Sequence, residues 1–509
     1  MQGRLAARGI FAALALVLCG AALARADDAD LVKRGEYLAR AGDCVACHTA
    51  PGGEPLAGGL KMDTPFGPIY TPNITPDRET GIGEWSDDEF YRALHEGIGR
   101  KGEYLYPVFP FPWYTHVRRD DVLAIKAYLF SLKPVHAPDK PNGFRFPFNI
   151  RDTLITWRTL FFTPGKSESP ATDDKVARGR YLVEGLGHCG ECHNRHNVLG
   201  ASDWSGKLEG GQIEGWYAPN LTGDGRQGVG NWSEDEIATF LKTGGAPGKG
   251  VALGPMQETI NDSLHYLSDD DLHAMAAYLK SVPAKETFAN NEGGYQRSGA
   301  PGEDLYLDHC SSCHGMKGQG VAGHVPALAG NGAVMAGGPQ DVIRVVLGGL
   351  TPGHGLGPMP AVGATLSDQE VARVADYVRN SFGNAAPASA DPNEVAKIRA
   401  ETHTPMAAVR LEDCAKPQGP EVQALVSGGQ LDSLAGAEPV DLLPTLDALI
   451  EKLKQVAEKT PDLVVADLTA AYCPVLFKDT KATQPQRADR LGRFATLAYS
   501  RVQTLAHSN

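Results

Sequence analysis

One five-residue pattern, C-x-x-C-H, occurs three times in this 509-residue chain: "CVACH" (Cys44, Cys47, His48), "CGECH" (Cys189, Cys192, His193) and "CSSCH" (Cys310, Cys313, His314). Two thiols at this spacing can add to the two vinyl groups of one porphyrin, and the adjacent imidazole is then aimed at the iron as its proximal ligand. The pattern is the attachment signature of c-type haem. A single copy could arise by chance, as half a zinc site or as a redox dithiol, but three copies leave little room for those readings. Three covalently bound haem c groups are therefore expected.

The surroundings of the motifs repeat as well. Each pair of cysteines follows a short helical stretch with a glycine upstream: "KRGEYLARAGDC" (Gly35), "ARGRYLVEGLGHC" (Gly179) and "PGEDLYLDHC" (Gly302). Each unit closes with an amphipathic helix: "RRDDVLAIKAYLFSL", "LSDDDLHAMAAYLKSV" and "LSDQEVARVADYVRNSF". In the first of these Val122, Ile125 and Leu129 share a face, and acidic residues in the first turn suit the helix dipole. The order of elements resembles the small helical cytochrome c fold, whose first and last helices cross. That resemblance pairs Gly35, Gly179 and Gly302 with Tyr128, Tyr278 and Tyr377. The expected class is mainly α, with tandem cytochrome c-like domains at 27–140, 170–285 and 296–384 and a C-terminal helical extension at 395–509.

A chain of this length is too long for one hydrophobic core, and 42% hydrophobic and 21% charged residues describe a globular protein. The net charge of −13 argues against binding nucleic acid, which needs a basic face. The amino terminus places Arg4 and Arg8 before an apolar run that ends in Ala24-Arg25-Ala26, the anatomy of a signal peptide spanning residues 1–26. Cys19 raises the rival reading of a lipoprotein anchor, but Leu18 is not the small residue such a site needs. No later segment has the apolar length of a membrane span. Export to the periplasm follows, with peripheral attachment to the outer face of the inner membrane compatible with it.

Two inner loops repeat: "TPNITPDRETGIGEWSDDEF" at 71–90 and "APNLTGDGRQGVGNWSEDEI" at 218–237. In cytochromes c the proline of such a loop offers its carbonyl to the proximal histidine. By that resemblance Pro72 serves His48, Pro219 serves His193, and Pro326 of "HVPALAG" serves His314. Trp85 and Trp232 of the same loops would border the haems.

A low-spin electron-transfer haem takes a second axial ligand, and a methionine thioether raises its potential. Met256 in "LGPMQETI" and Met359 in "LGPMPAVG" stand in Gly-Pro-Met turns before the closing helices of the second and third units. In the first unit the corresponding place falls at Phe109, in "YPVFPFPWY", and no methionine lies between Lys101 and Val117. Met62 does not match the ligand loop. His95 and His116 are alternative ligands, each also readable as a surface or packing histidine.

From about Ala26 to Asn384 the chain resembles the triheme cytochrome c subunits of periplasmic, membrane-associated alcohol, gluconate, sorbitol and fructose dehydrogenases, and of some molybdenum-dependent oxidoreductases. "TPFGPIYTPNITPD", "GIGEWSDDEFYRALHEGI", "YLSDDDLHAMAAYLKS" and "MPAVGATLSDQEVARVADYVRNSFGN" carry the match. The resemblance implies an electron-transfer chain that does not itself oxidise the organic substrate. Its implied partners are a catalytic subunit with PQQ, flavin or molybdopterin and an acceptor, either membrane quinone or a soluble carrier. Phe109 departs from the family, which usually has methionine there. That leaves two alternatives standing: a peroxidase-like haem enzyme, or a ligand-binding sensor using an open first haem.

The extension opens with a linker-like "GNAAPASADPNEV" and then carries two helical patterns with apolar faces. Cys414 and Cys473 have no C-x-x-C-H context, so a fourth haem is not expected. In an oxidising compartment they are expected to form a disulfide.

Overall fold

The computed structural model of the protein describes residues 28–165; 174–284 apart from 226 and 247; 298–350 apart from 322–324; and 359–402 apart from 387 and 388. Beyond these it describes 414, 422, 431–434, 443–456, 461–482 and single positions between 487 and 502. The signal peptide expected at 1–26, with Cys19, lies outside the described residues.

The architecture is mainly α. Helices run in chain order as α1 (residues 28–41), α2 (Cys44–Cys47), α3 (Asp87–Glu96), α4 (Phe111–Tyr114), α5 (Arg119–Ser131), α6 (Leu154–Phe161), α7 (Lys175–Tyr181), α8 (Gly190–His193) and α9 (Glu234–Thr243). They continue as α10 (Pro255–Asp262), α11 (Asp269–Ser281), α12 (Glu303–His309), α13 (Ser311–His314), α14 (Gln340–Gly348), α15 (Asp368–Asn380) and α16 (Pro392–Glu401), then α17 (Leu443–Val456) and α18 (Pro461–Tyr472). The strands form small antiparallel hairpins, among them β1 (Lys61–Thr64) with β2 (Gly67–Tyr70) and β3 (Gly211–Ile213) with β4 (Trp216–Ala218).

The chain forms two compact units. One holds the described residues up to Glu191 with 197–202 and 258–278; the other holds 192–196, 203–257 and 279 onward. This division does not follow the four segments read from the sequence, because the terminal helices of the second repeat pack in the same unit as the first repeat.

In the first unit two glycines set the helix crossings. A Cβ on Gly35 of α1 would lie 1.8 Å from the Ala124 carbonyl oxygen and 2.9 Å from Tyr128 Cβ on α5. A Cβ on Gly179 of α7 would lie 1.9 Å from the Ala274 oxygen and 2.8 Å from Tyr278 Cβ on α11. Only glycine admits so close an approach of two backbones. α5 buries Val122, Ile125 and Leu129 on the face expected from their spacing. α3 begins with a capping box in which Ser86 and Glu89 satisfy each other's backbone N–H.

The segment after residue 140 lies against the proline-rich stretch. Tyr106 Oη donates to the Phe148 carbonyl at 3.0 Å, and Arg151 donates to the Tyr104 carbonyl at 2.9 Å. Phe111 meets Trp157 and Phe162 edge-on, and the Arg158 guanidinium stacks over Tyr104 and Phe111.

In the second unit the third repeat repeats the crossing. Gly302, at φ +89°, would place a Cβ 2.3 Å from the Arg373 oxygen and 3.1 Å from Tyr377 Cβ on α15. Its core gathers Leu305, Tyr306, Ile343, Val371 and Val374, and Val395 and Ile398 of α16 complete it. The packing thus carries the third repeat past Asn384 and into the segment assigned from sequence to the extension. The remainder has its own core around Leu446, Ile450, Leu468, Tyr472 and Phe494, with the rings of Tyr472 and Phe494 stacked at 4.0 Å. Cys414 and Cys473 are joined by a disulfide.

Candidate haem sites

Each C-x-x-C-H motif forms one short helical turn, in α2 with His48 as its C-cap, across Cys189 with α8, and across Cys310 with α13. A single turn brings both cysteine side chains and the histidine to one side of the backbone. Beyond the motif, each histidine is held at two atoms. Its Nδ1 hydrogen-bonds a proline carbonyl: His48 to Pro72 at 2.8 Å, His193 to Pro219 at 2.7 Å and His314 to Pro326 at 3.0 Å. Its own carbonyl accepts a glycine N–H: from Gly58 at 2.7 Å, Gly210 at 2.8 Å and Gly320 at 2.9 Å. These three glycines have φ of +72°, +98° and +63°, a conformation that side chains disfavour. Sequence reading names the prolines and misses the glycines, whose distance from the histidine differs in every repeat.

The donor set fits a haem. With Nδ1 engaged by a carbonyl, the ring carries its proton there and leaves Nε2 with a lone pair for a metal. Burial lowers the pKa of all three imidazoles, to about 4 for His193 and His314, and so favours the neutral, ligating form. Burial also pushes the thiols of Cys44, Cys189 and Cys310 up to about 12. Among the described residues no cluster of three His, Cys, Asp or Glu side chains could hold a metal ion by itself.

The distal candidates differ in setting. Met256 sits in the first turn of α10, half-buried, after a turn in which Gly254 has φ +48° and presses on the Trp216 indole. Met359 is half-buried and pairs its backbone with Leu350 in both directions, at 2.7 and 2.8 Å. Phe109 is half-buried, donates its N–H to the Tyr106 carbonyl at 3.0 Å, and turns its ring edge-on to Tyr114 at 5.5 Å. The stretch around it is anchored by Phe111 and Trp113, both fully buried, and by Tyr114 Oη, which donates to the Gly42 carbonyl at 3.0 Å.

Of the alternative ligands in the first repeat, His95 stacks on Tyr91 at 4.9 Å and has its Nδ1 buried without a hydrogen bond among the described residues, and His116 lies against Gly165. Met62 is on β1, opposite Ile69. Trp85 and Trp232 are half-buried, the latter edge-on to Phe240 at 5.6 Å.

Two carboxyls beside the motifs are raised to about 7, mainly by burial. Asp43, next to Cys44, is further raised by Asp262 and Glu258. Glu191, inside the second motif, is partly lowered by the hydrogen bond from Trp113.

Comparison with known proteins agrees with this chemistry. The cytochrome c family model matches residues 299–382. The chain is 42% identical over 423 residues to the gluconate 2-dehydrogenase cytochrome c subunit of Pantoea cypripedii, a match covering 77% of this chain and 95% of that one. It is 40% identical over 418 residues to the cytochrome c subunit of alcohol dehydrogenase (quinone) of Gluconobacter oxydans, covering 76% and 86%. It is 38% identical over 404 residues to the fructose dehydrogenase cytochrome subunit of Gluconobacter japonicus, covering 72% and 82%. The chain belongs to the family of cytochrome c subunits of gluconate, alcohol and fructose dehydrogenases.

Proposed function

We propose that the chain is a triheme electron relay, taking electrons from a separate dehydrogenase subunit and delivering them to membrane quinone or a soluble acceptor. The observation that carries this reading is the threefold recurrence of one histidine clamp, with Nδ1 held by a proline carbonyl and the histidine carbonyl held by a glycine N–H. Bound haem supplies one-electron exchange at its iron. The residues of the chain tether, orient and shield it. Cys44 with Cys47, Cys189 with Cys192, and Cys310 with Cys313 are the tethers; His48, His193 and His314 are the proximal ligands. Met256 and Met359 are the distal ligands of the second and third sites. Phe109 supplies no lone pair, so the first site is set apart in potential from the other two.

The named relatives are cytochrome subunits of dehydrogenases, which supports a dehydrogenase catalytic partner; that this partner carries PQQ, flavin or molybdopterin is part of the same proposal. Neither the relatives nor the geometry favours a peroxidase-like enzyme or a sensor. Exported location, on the outer face of the inner membrane in the periplasm, is part of the same reading and rests on the residue pattern of segment 1–26.

The test is copurification of the full chain with a larger catalytic subunit from the cells that produce it. Three haems per chain by mass, and haem reduction by the organic substrate only when the catalytic subunit is present, are expected. Oxidation of an alcohol, sugar acid or heterocycle by the isolated chain would overturn the assignment.

A further inference from the structure

Sequence reading does not single out Tyr37 or Tyr181, yet the structure puts them in equivalent places. Each stands two residues after the crossing glycine of its repeat, Gly35 or Gly179. Tyr37 of α1 donates its hydroxyl to Asp271 Oδ2 at 2.6 Å and accepts the Ser268 N–H at 3.1 Å, both at the start of α11 in the second repeat. Tyr181 of α7 donates to Asp121 Oδ2 at 2.5 Å and accepts the Arg118 N–H at 3.2 Å, both at the start of α5 in the first repeat. Each tyrosine therefore caps the closing helix of the other repeat. The aspartates are also equivalent, seven residues before Tyr128 and Tyr278. Each also pairs with the arginine preceding its own repeat's glycine: Asp121 with Arg34, and Asp271 with Arg178 at 2.7 and 2.8 Å.

We infer that Tyr37 and Tyr181 are positioning residues that lock the crossing helices of the first two repeats, α1 with α5 and α7 with α11, into a pseudo-twofold pair within the first unit, and that this lock supports electron exchange between the haems of those repeats. The contacts are reciprocal, as in a dimer with twofold symmetry. Asp121 and Asp271 are 1% and 9% exposed, so their hydrogen bonds to the tyrosines and arginines are charge-assisted contacts largely shielded from water. The third repeat is not built for the same lock. Pro301 stands at the arginine place, Asp304 at the tyrosine place and Glu370 at the aspartate place, and Glu370 is used in the capping box of α15. The inference rests on the triheme reading but concerns only the pairing of the first two repeats.

The experiment uses the full haem-loaded chain with Tyr37→Phe, Tyr181→Phe and the double substitution. Hydrogen exchange reads the lock directly. Tyr181→Phe is expected to speed exchange of the Arg118 amide about tenfold and spare Ser268, while Tyr37→Phe does the reverse. Pulse reduction reads the function: electron exchange between haems 1 and 2 is expected to slow in the double variant while its Soret spectrum is unchanged. Tyr37 is only half-buried, so its single variant keeps the test open if the double variant misfolds. Unchanged amide protection, or unchanged exchange between the haems in a folded variant whose lock is lost, would overturn the inference. A wild-type chain with fewer than three haems would instead overturn the triheme reading.

Discussion

Trp113 Nε1 donates to Glu191 Oε2 at 2.6 Å, tying the proline-rich stretch of the first repeat to the residue between the two cysteines of the second motif. Trp113 is fully buried, and burial raises the Glu191 carboxyl to about 7. Removing the donor with Trp113→Phe leaves that carboxyl without the indole N–H and is expected to cost about 2 kcal/mol. Glu191→Gln keeps an acceptor and should cost less. Thermal melts followed at the Soret band separate the two. A Trp113→Phe melt that matches the wild type would show that the bond contributes nothing.

Gly35 and Gly179 admit the crossing helices at distances that no Cβ tolerates. Alanine at either position must push α1 from α5 or α7 from α11, and overpacking of this severity is expected to cost about 3 kcal/mol or more. The same change at Gly52, where nothing lies within 4 Å of the built Cβ, is the control for space, although its φ of +71° adds local strain. Denaturant midpoints of the three variants give the comparison. Equal losses at Gly35 and Gly52 would refute the packing argument.

Sequence alignment of the repeats puts Phe109 where the other two present methionine, and the proposal of a distinct first site rests on that reading. Phe109→Met is expected to convert a high-spin component of the ferric spectrum to low spin, and to abolish carbon monoxide binding to that haem after reduction. A wild-type protein already wholly low-spin and inert to carbon monoxide would show that another residue ligates the first site.

Asp341 accepts the Tyr217 N–H at 2.8 Å and is raised to about 7 by burial, opposed by that hydrogen bond and by Arg379 and Arg344. An unfolded aspartate titrates near 3.9. Between these values the folded state binds the extra proton, so this group lowers stability as the pH rises from about 4 to about 7. Asp341→Asn keeps an oxygen for Tyr217 and removes the slope. It should be more stable than wild type at pH 8 by on the order of 3 kcal/mol and nearly equal at pH 4. Stability curves of the two proteins that run parallel across this range would contradict the assignment.

The Cys414–Cys473 disulfide closes a loop of sequence separation 59. Replacing both cysteines with alanine should destabilise the C-terminal core by about 4 kcal/mol through the entropy of the unfolded chain. Haem spectra should not change, because that core is separate from the third-repeat core. Loss of haem on reduction of this disulfide would show that the two cores are coupled.

Much of the protein is written locally. The three C-x-x-C-H motifs, the crossing glycines with their tyrosines, and the loop prolines that meet His48 and His193 all repeat in recognisable surroundings, so one stretch can be read against another. The helices α5, α11 and α15 follow from their amphipathic patterns, and the mainly α class from the resemblance of their order to the small helical cytochrome c fold. The glycines that clamp the histidine carbonyls were not legible, because loop length between motif and clamp differs in each repeat while the hydrogen bond does not.

What the sequence by itself determined was the local pattern of each repeat: which thiols and which imidazole stand together, and which proline carbonyl meets that imidazole. Only the tertiary structure decided which segments meet. Tyr37 reaches Asp271 across 234 residues, and Tyr181 reaches Asp121 across 60. α16 completes the third core although its sequence reads as the start of an extension. The physical reason is that local hydrogen bonding and helix period depend on neighbours in the chain. A buried aspartate instead takes whichever donors the packing delivers, and composition carries no record of that choice.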